Sequence, residues 1–65
     1  MKSSDKELAR KMKDFRLDRD WTQVQLAAYL NLSSGTIARI EQGYEFTDRT
    51  RRKIERLLEQ RVEAA

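Results

Sequence analysis

The clearest alternation of apolar and polar residues lies in the middle of the chain, between Thr22 and Gly43. Two apolar stripes with helical spacing occur there; the first is formed by Leu26, Ala27 and Leu30, and the second by Ile37 and Ile40. Between the stripes, Asn31 tolerates the left-handed backbone of a sharp turn, Leu32 can fill the angle between two crossing helices, and Ser33 is a good helix N-cap. So short a link predicts two helices that cross steeply, which is a helix-turn-helix.

A further helix is predicted on the N-terminal side of this pair, over about residues 5–17. Ser3 or Ser4 is expected to cap it. Its buried stripe is expected to comprise Leu8, Met12 and Phe15, with an extension to Leu17. After this helix, Asp20 is expected to adopt the left-handed conformation that often ends a helix, and Trp21 is expected to pack into the core as a large apolar anchor.

The last helix is predicted from about Asp48 to Val62, with Thr47 as its N-cap. Its inner stripe is expected to consist of Ile54, Leu57 and Leu58, followed by Val62 and the stem of Arg61. In the loop that precedes it, Phe46 is expected to turn inward. The pattern along the chain therefore predicts an all-α protein.

The composition fits one small helical domain that covers residues 1–65. Charged and hydrophobic residues each make up 38% of the chain, and proline is absent. The chain has no cysteine and no histidine, so it lacks disulfides, the usual zinc ligands and a histidine acid–base catalyst. No nucleophile–base pair or glycine-rich phosphate loop is apparent either. We therefore expect no enzyme, and no metal, cofactor or small-molecule substrate.

Hydropathy and charge indicate where the protein acts and what kind of partner it binds. The apolar runs are too short to span a membrane, and the first residues do not form a signal peptide, so a cytoplasmic protein is expected. The net charge is +3, with a pI of about 9.6. Such a balance favours a polyanionic partner, usually nucleic acid, but it is too mild to decide the function by itself.

Between about Leu8 and Leu58 the chain resembles the phage-repressor and Cro-type (XRE, lambda-repressor-like) helix-turn-helix family. The ordered set T-Q-x-x-L-A, an eight-residue gap, T-I and then I-E-x-G carries the resemblance. The matching residues are Arg16, Thr22, Gln23, Leu26, Ala27, Ser33, Thr36, Ile37, Ile40, Glu41 and Gly43. The match at Thr22-Gln23 and at Glu41-x-Gly43 makes the set more specific than a leucine–alanine pattern would be.

The resemblance implies a lambda-repressor-like bundle of four to five short helices, in which a recognition helix over about residues 34–42 enters the DNA major groove. It also implies a function, which is binding of double-stranded operator DNA as a transcriptional regulator, a repressor by default. Such a regulator would be encoded by a bacterium or a phage and would act as a homodimer, at least on DNA.

The resemblance further implies roles for individual residues. Base-contacting positions would be Ser34, Gly35, Thr36 and Arg39. Phosphate-contacting positions would be Thr22, Gln23, Gln42, Tyr44, Arg49 and Arg52. Arg39 is the leading candidate for base recognition, because its guanidinium matches the O6 and N7 acceptors of guanine. Arg16 and Glu41 would form a largely buried ion pair that orients the recognition helix.

A second function remains open at the level of the sequence. The same helical bundle can serve as a protein-interaction module, such as an antitoxin or an anti-regulator. An exposed apolar stripe on the last helix beyond Leu58 would favour that function, and Val62, Ala64 and Ala65 offer only a slight one.

Overall fold

A computed structural model describes the backbone of residues 5–62 and the side chains of residues 5–59. Within this part of the chain, the regular elements are four helices and no strand. They are α1 (Lys6–Asp18), α2 (Gln23–Leu30), α3 (Ser34–Glu41) and α4 (Asp48–Val62). The predicted all-α class is confirmed, and the bounds of α4 are those that the sequence predicted.

The N-terminal cap of α1 is Asp5, so the prediction of Ser3 or Ser4, which lie outside the described residues, is wrong. One carboxylate oxygen of Asp5 accepts a hydrogen bond from the backbone N–H of Leu8 at 3.0 Å. The other accepts from Nη1 of Arg51, on α4, at 2.9 Å. The Leu8 N–H and then the Arg51 guanidinium lower the pKa of the Asp5 carboxyl. Asp5 therefore begins α1 and also ties it to α4.

The connection from α1 to α2 turns at Asp20, whose φ of 61° is the predicted left-handed conformation. This turn lets the backbone N–H of Trp21 donate to the carbonyl oxygen of Arg16 at 3.0 Å. The half-buried Trp21 ring then packs edge-on against Phe15, with ring centroids 6.2 Å apart. The prediction that Trp21 anchors this corner in the core is confirmed.

Side-chain caps begin both α2 and α3, and one left-handed residue turns the chain between the two helices. Thr22 and Gln25 form a reciprocal capping box at the start of α2. Asn31 ends α2 with a φ of 61°, as its position in the sequence predicts. Leu32 packs against the core at the bend. Ser33 then caps α3 by accepting from the backbone N–H of Thr36 at 3.2 Å.

The core lies where the inner faces of the four described helices meet. Its buried residues are Ala9, Met12, Phe15, Leu26, Ala27, Leu30, Ile37, Ile40, Phe46, Ile54 and Leu57. Leu8 and Leu58 are only partly buried at the edge of this cluster. Leu17 is 54% exposed, so its predicted place in the α1 stripe is wrong. The reason is rotation along α1, since Ala9, rather than Leu17, lies beside Met12 and Phe15 on the inner face.

The loop before α4 covers one side of the core. Phe46 turns inward as predicted and is 8% exposed. Thr47 caps α4 by accepting from the backbone N–H of Thr50 at 3.2 Å, which confirms its predicted role. The predicted contributions of the Arg61 and Val62 side chains lie outside the described residues.

None of the described helices has the length and apolar character that a membrane crossing requires.

Candidate nucleic-acid interface

Helix α3 presents one face to the core and the other to the surroundings. Ile37 and Ile40 are buried on the inner face, with 0% and 1% of their surface exposed. Ser34, Gly35 and Arg39 are exposed on the outer face. The helix is therefore held on the surface of the bundle by two isoleucines, while its front remains accessible to a partner.

Arg39 is the exposed cation on this face of α3. Within the part of the chain that the structure describes, no hydrogen bond or ion pair engages its guanidinium, and the carbonyl oxygen of Arg39 accepts from the N–H of Tyr44 at 3.0 Å. The backbone of Arg39 is thus fixed at the end of α3. Its side chain keeps five N–H donors for an external acceptor.

Thr36 differs from its neighbours on α3, because its hydroxyl is already engaged. The Thr36 and Ser33 hydroxyl oxygens are 2.9 Å apart and share a hydrogen bond. Thr36 is half-buried beside this cap. It retains further acceptor capacity, but its first hydrogen bond supports the start of α3 rather than an outside group.

Gly35 leaves the first turn of α3 open. A methyl group added to it would meet only the Ser33 hydroxyl oxygen, at 4.0 Å. The backbone of Gly35 does not have a positive φ, whereas Gly43 has a φ of 101°. The fold therefore requires glycine at position 43 but not at position 35.

The N-terminus of α2 lies beside the C-terminus of α3. Gln23, the first residue of α2, donates from its side-chain Nε2 to Glu41 Oε1 at 3.1 Å. An amide nitrogen carries two hydrogens, so one remains for a second acceptor. Thr22 is exposed, and the leading N–H groups of α2 have no partner inside the helix. This helix start can therefore receive an anion.

Arg16 and Glu41 join the end of α1 to the end of α3. Arg16 donates from Nε to Glu41 Oε2 at 2.8 Å and from Nη2 to Oε1 at 3.1 Å. Only 11% of the Arg16 side chain and 6% of the Glu41 side chain are exposed. Arg16 also donates from Nη1 to the carbonyl oxygen of Trp21 at 2.9 Å. The pair is bidentate and sheltered, and each nitrogen of the guanidinium and each oxygen of the carboxylate has a hydrogen-bond partner, so α1, α2 and α3 meet in one polar cluster.

The remaining predicted phosphate-contacting residues lie on the loop after α3 and on the first turns of α4. Gln42 and Tyr44 are exposed on either side of Gly43, and 60% of the Tyr44 surface is accessible. Arg49 and Arg52 are exposed on α4. All four side chains are accessible to a large partner.

Two contacts of this region were not predicted from the sequence. The Gln23–Glu41 hydrogen bond and the Asp5–Arg51 ion pair join residues that are distant in the chain, and helical periodicity gives no signal for them. The cations of α1, in contrast, were predicted to coat its exposed face, where one or two could touch phosphate, and Lys6, Arg10 and Lys13 lie beside the end of α3. Their spacing of four and three residues was a usable signal.

No group of three or more acidic, histidine or cysteine side chains in the described region is arranged to hold a metal ion.

An exposed helix held in a sharp turn after a second short helix is the helix-turn-helix arrangement. A family model described as helix-turn-helix matches residues 12–63, which is most of the chain. The chain belongs to this family, which is of the XRE, lambda-repressor/Cro-like type. The lambda-repressor-like fold is thereby confirmed, and the protein is a DNA-binding regulator of a family that is not enzymatic. Searches among curated proteins and solved structures gave no match.

Proposed function

We propose that this protein binds a specific duplex DNA operator and represses transcription from it, with α3 lying in the major groove. The observation that carries the proposal is the outer face of α3, where Arg39 is exposed and unengaged among the described residues. An arginine that reaches guanine O6 and N7 with two hydrogen bonds contributes about 1–3 kcal/mol of discrimination against the wrong base. Ser34, Gly35 and Thr36 line the same face nearer to the start of the helix and complete the base-reading surface.

The phosphate backbone would be bound on both sides of α3. On one side are Thr22 and Gln23, at the positive end of the α2 dipole. On the other side are Gln42, Tyr44, Arg49 and Arg52, which are exposed on the loop after α3 and on α4. Contacts of this kind set the position of the protein on the duplex and carry no sequence information.

The Arg16–Glu41 pair would act through α3 rather than on DNA. Gln23 donates one amide hydrogen to Glu41, so a phosphate bound by its second hydrogen would be connected to the ion pair. The same cluster would then fix both the contact of α2 with the DNA backbone and the angle of α3 in the major groove.

Two copies of the chain would bind the operator as a two-fold dimer, with half-sites about one helical turn apart. Repression would follow when the bound dimer occupies DNA that the transcription machinery needs. This function places the protein in the cytoplasm and requires neither a cofactor nor a small-molecule substrate.

Selection of binding sites from a random duplex pool tests the proposal. An enriched palindromic site with a fixed half-site spacing is expected. On that site, Arg39→Ala should relax the preference at one base pair, while Gln23→Ala should weaken binding to selected and random duplexes by the same factor. Arg56→Ala, an exposed cation on α4 outside the proposed contacts, is the matched control. If both test variants bind selected and random DNA as the parent does, the proposed contacts are wrong.

A protein-interaction module, such as an antitoxin or anti-regulator, is the second candidate. The observation in its favour is apolar surface on α2, where Val24 is 63% exposed and Tyr29 is 52% exposed. Size-exclusion chromatography and pull-down at ordinary salt, with Val24→Ser and Tyr29→Ser as variants, separate the two functions. Loss of a protein complex with unchanged DNA binding would favour the second candidate.

A further inference from the structure

Helix α1 carries three cations along one side and a mixture of acidic and basic residues along the neighbouring side. Lys6, Arg10 and Lys13 recur at intervals of four and three residues, so they lie on one side of the helix. The acidic residues of α1 are Glu7, Asp14 and Asp18; of these, Glu7 lies one helical turn before Arg10 and lines the same groove as the three cations. We call the row of Lys6, Arg10 and Lys13 the basic flank. It borders the buried face of α1 on the side of Ala9.

The basic flank makes no ion pair with the described side chains, although Glu7 and Asp14 lie one helical turn from Arg10. No hydrogen bond or ion pair joins any of its three side chains to another residue between positions 5 and 59. Lys11, which lies on the neighbouring side of the same helix, pairs with Glu7 at 4.0 Å. Like charges one helical turn apart destabilise a helix by a few tenths of a kcal/mol. The row therefore weakens α1 slightly, and Glu7 and Asp14 can offset the repulsion only near Arg10, in the middle of the row.

The basic flank lines one wall of an open groove beside the recognition helix. The opposite wall is the end of α3, formed by Glu41, Gln42 and Gly43. The walls are close, since a methyl group added at Gly43 would lie 3.9 Å from the Cε atom of Lys6. Glu41 does not neutralise the row, because its carboxylate is engaged by Arg16 and Gln23.

We propose that the basic flank is an additional contact surface for the phosphate backbone of duplex DNA, continuous with the end of α3. The inference rests on the proposed function, because it assumes that α3 enters the major groove. Two observations select this occupant. The surface carries three cations that no described residue pairs with, which complement a polyanion, and it adjoins Gln42, one of the proposed phosphate contacts. The flank would lengthen the DNA footprint without reading sequence.

If the basic flank served only to stabilise the folded protein, its removal would have a different effect. Cations near the C-terminus of α3 interact favourably with its dipole and stabilise the free protein. If that were their whole purpose, removing them would lower the melting temperature and leave the salt dependence of DNA binding unchanged. A phosphate contact reverses this pattern, because each neutralised phosphate releases counterions and steepens the salt dependence.

The test measures duplex binding by fluorescence anisotropy over a range of salt concentrations. Lys6→Ala, Arg10→Ala and Lys13→Ala are made singly and together, and Lys11→Ala is the control with the same charge change on the same helix. The slope of log K against log salt should become shallower by about 0.9 for each cation that contacts phosphate. Selected and random duplexes should lose affinity by the same factor. Arg10→Lys should keep the parental slope, since it keeps the charge.

The inference is overturned if the triple variant has the slope and affinity of Lys11→Ala. It is also overturned if the triple variant loses thermal stability alone. Neither result affects the proposed function, because α3 would still bind a selected site. If the parent binds no duplex at any salt concentration, the proposed function itself fails, and the two failures are thus distinguishable.

Discussion

The two ends of the recognition helix are built in opposite ways. At the C-terminal end of α3, the Glu41 carboxylate accepts hydrogen bonds from Arg16 and Gln23 and is almost fully sheltered. At the N-terminal end and along the outer face, Ser34, Gly35 and Arg39 are exposed. The Glu41 carboxylate is thus engaged within the fold, whereas the outer face of α3 remains accessible to a partner. The fixed end defines the direction in which the open end points.

The difference has an electrostatic basis. A carboxylate at the C-terminus of a helix faces the negative end of the helix dipole and is unfavourable there. Glu41 is stable in that position because the Arg16 guanidinium binds it with two hydrogen bonds. Arg39, in the last turn of the same helix, is favourably placed by the dipole and has no need of such a partner. Its side chain can therefore remain unengaged at little cost.

Breaking the fixed end should have the largest effect. Glu41→Gln removes the negative charge while keeping the shape, and it leaves the sheltered Arg16 guanidinium without its counter-ion. Loss of one partner from a buried ion pair destabilises a protein by about 3 kcal/mol or more. Urea denaturation should show a matching fall in the free energy of unfolding. Arg39→Ala, on the exposed outer face of the same helix, should change it by less than about 0.5 kcal/mol.

A double variant separates the charge from the packing. Arg16→Met combined with Glu41→Leu removes both charges, so no ion is stranded, and most of the stability lost in Glu41→Gln should return. A double variant as unstable as the single one would show that the cluster contributes through its hydrogen bonds to Trp21 and Gln23 rather than through charge compensation.

Adding a methyl group at the N-terminal end of α3 should have a smaller effect on stability, and of opposite sign. Gly35→Ala adds a methyl group in open space and replaces glycine with the best helix former, so the free energy of unfolding should rise by about 1 kcal/mol. Gly43→Ala is the matched control, because the left-handed φ of 101° at that position disfavours any side chain. It should lower the melting temperature, whereas Gly35→Ala should raise it. A fall in melting temperature for Gly35→Ala would show that the front of α3 is constrained in a way that its open surroundings do not explain.

The sequence was informative wherever a feature depends on neighbouring residues. The caps at Thr22, Ser33 and Thr47 and the left-handed residues Asp20 and Asn31 are local, and each was predicted correctly. Apolar spacing likewise located the inner faces of α2, α3 and α4. The exposed positions of the site follow from the same periodicity, because residues opposite a buried stripe face solvent.

Features that depend on distant parts of the chain were missed. Ser3, Ser4 and Asp5 are adjacent candidates for the cap of α1, and the observed cap at Asp5 also binds Arg51, 46 residues further along. The Gln23 amide bonds to Glu41, 18 residues away, and only the crossing of α2 and α3 brings the two together. Leu17 is apolar, but it lies on the side of α1 that faces away from the core. The proposed DNA contacts themselves remain predictions.

The smallest expected effect concerns an ion pair that is less sheltered than the one at the fixed end. In the Asp5–Arg51 pair, 35% of the Asp5 side chain and 27% of the Arg51 side chain are exposed. The Leu8 N–H and then Arg51 lower the pKa of Asp5 in the folded protein below its unfolded value. Its contribution to stability is therefore present at neutral pH and is lost as the pH falls below about 4, through the folded pKa.

Asp5→Asn isolates this contribution, because asparagine caps a helix about as well as aspartate but carries no charge. Melting temperatures of the parent and the variant should differ at pH 7 and converge as the pH approaches 2. Salt should narrow the difference at pH 7, since an exposed pair is screened. A gap that stays constant across the pH range would assign the contribution of Asp5 to its cap geometry alone, and the charge of this outer pair would then play no part in joining α1 to α4.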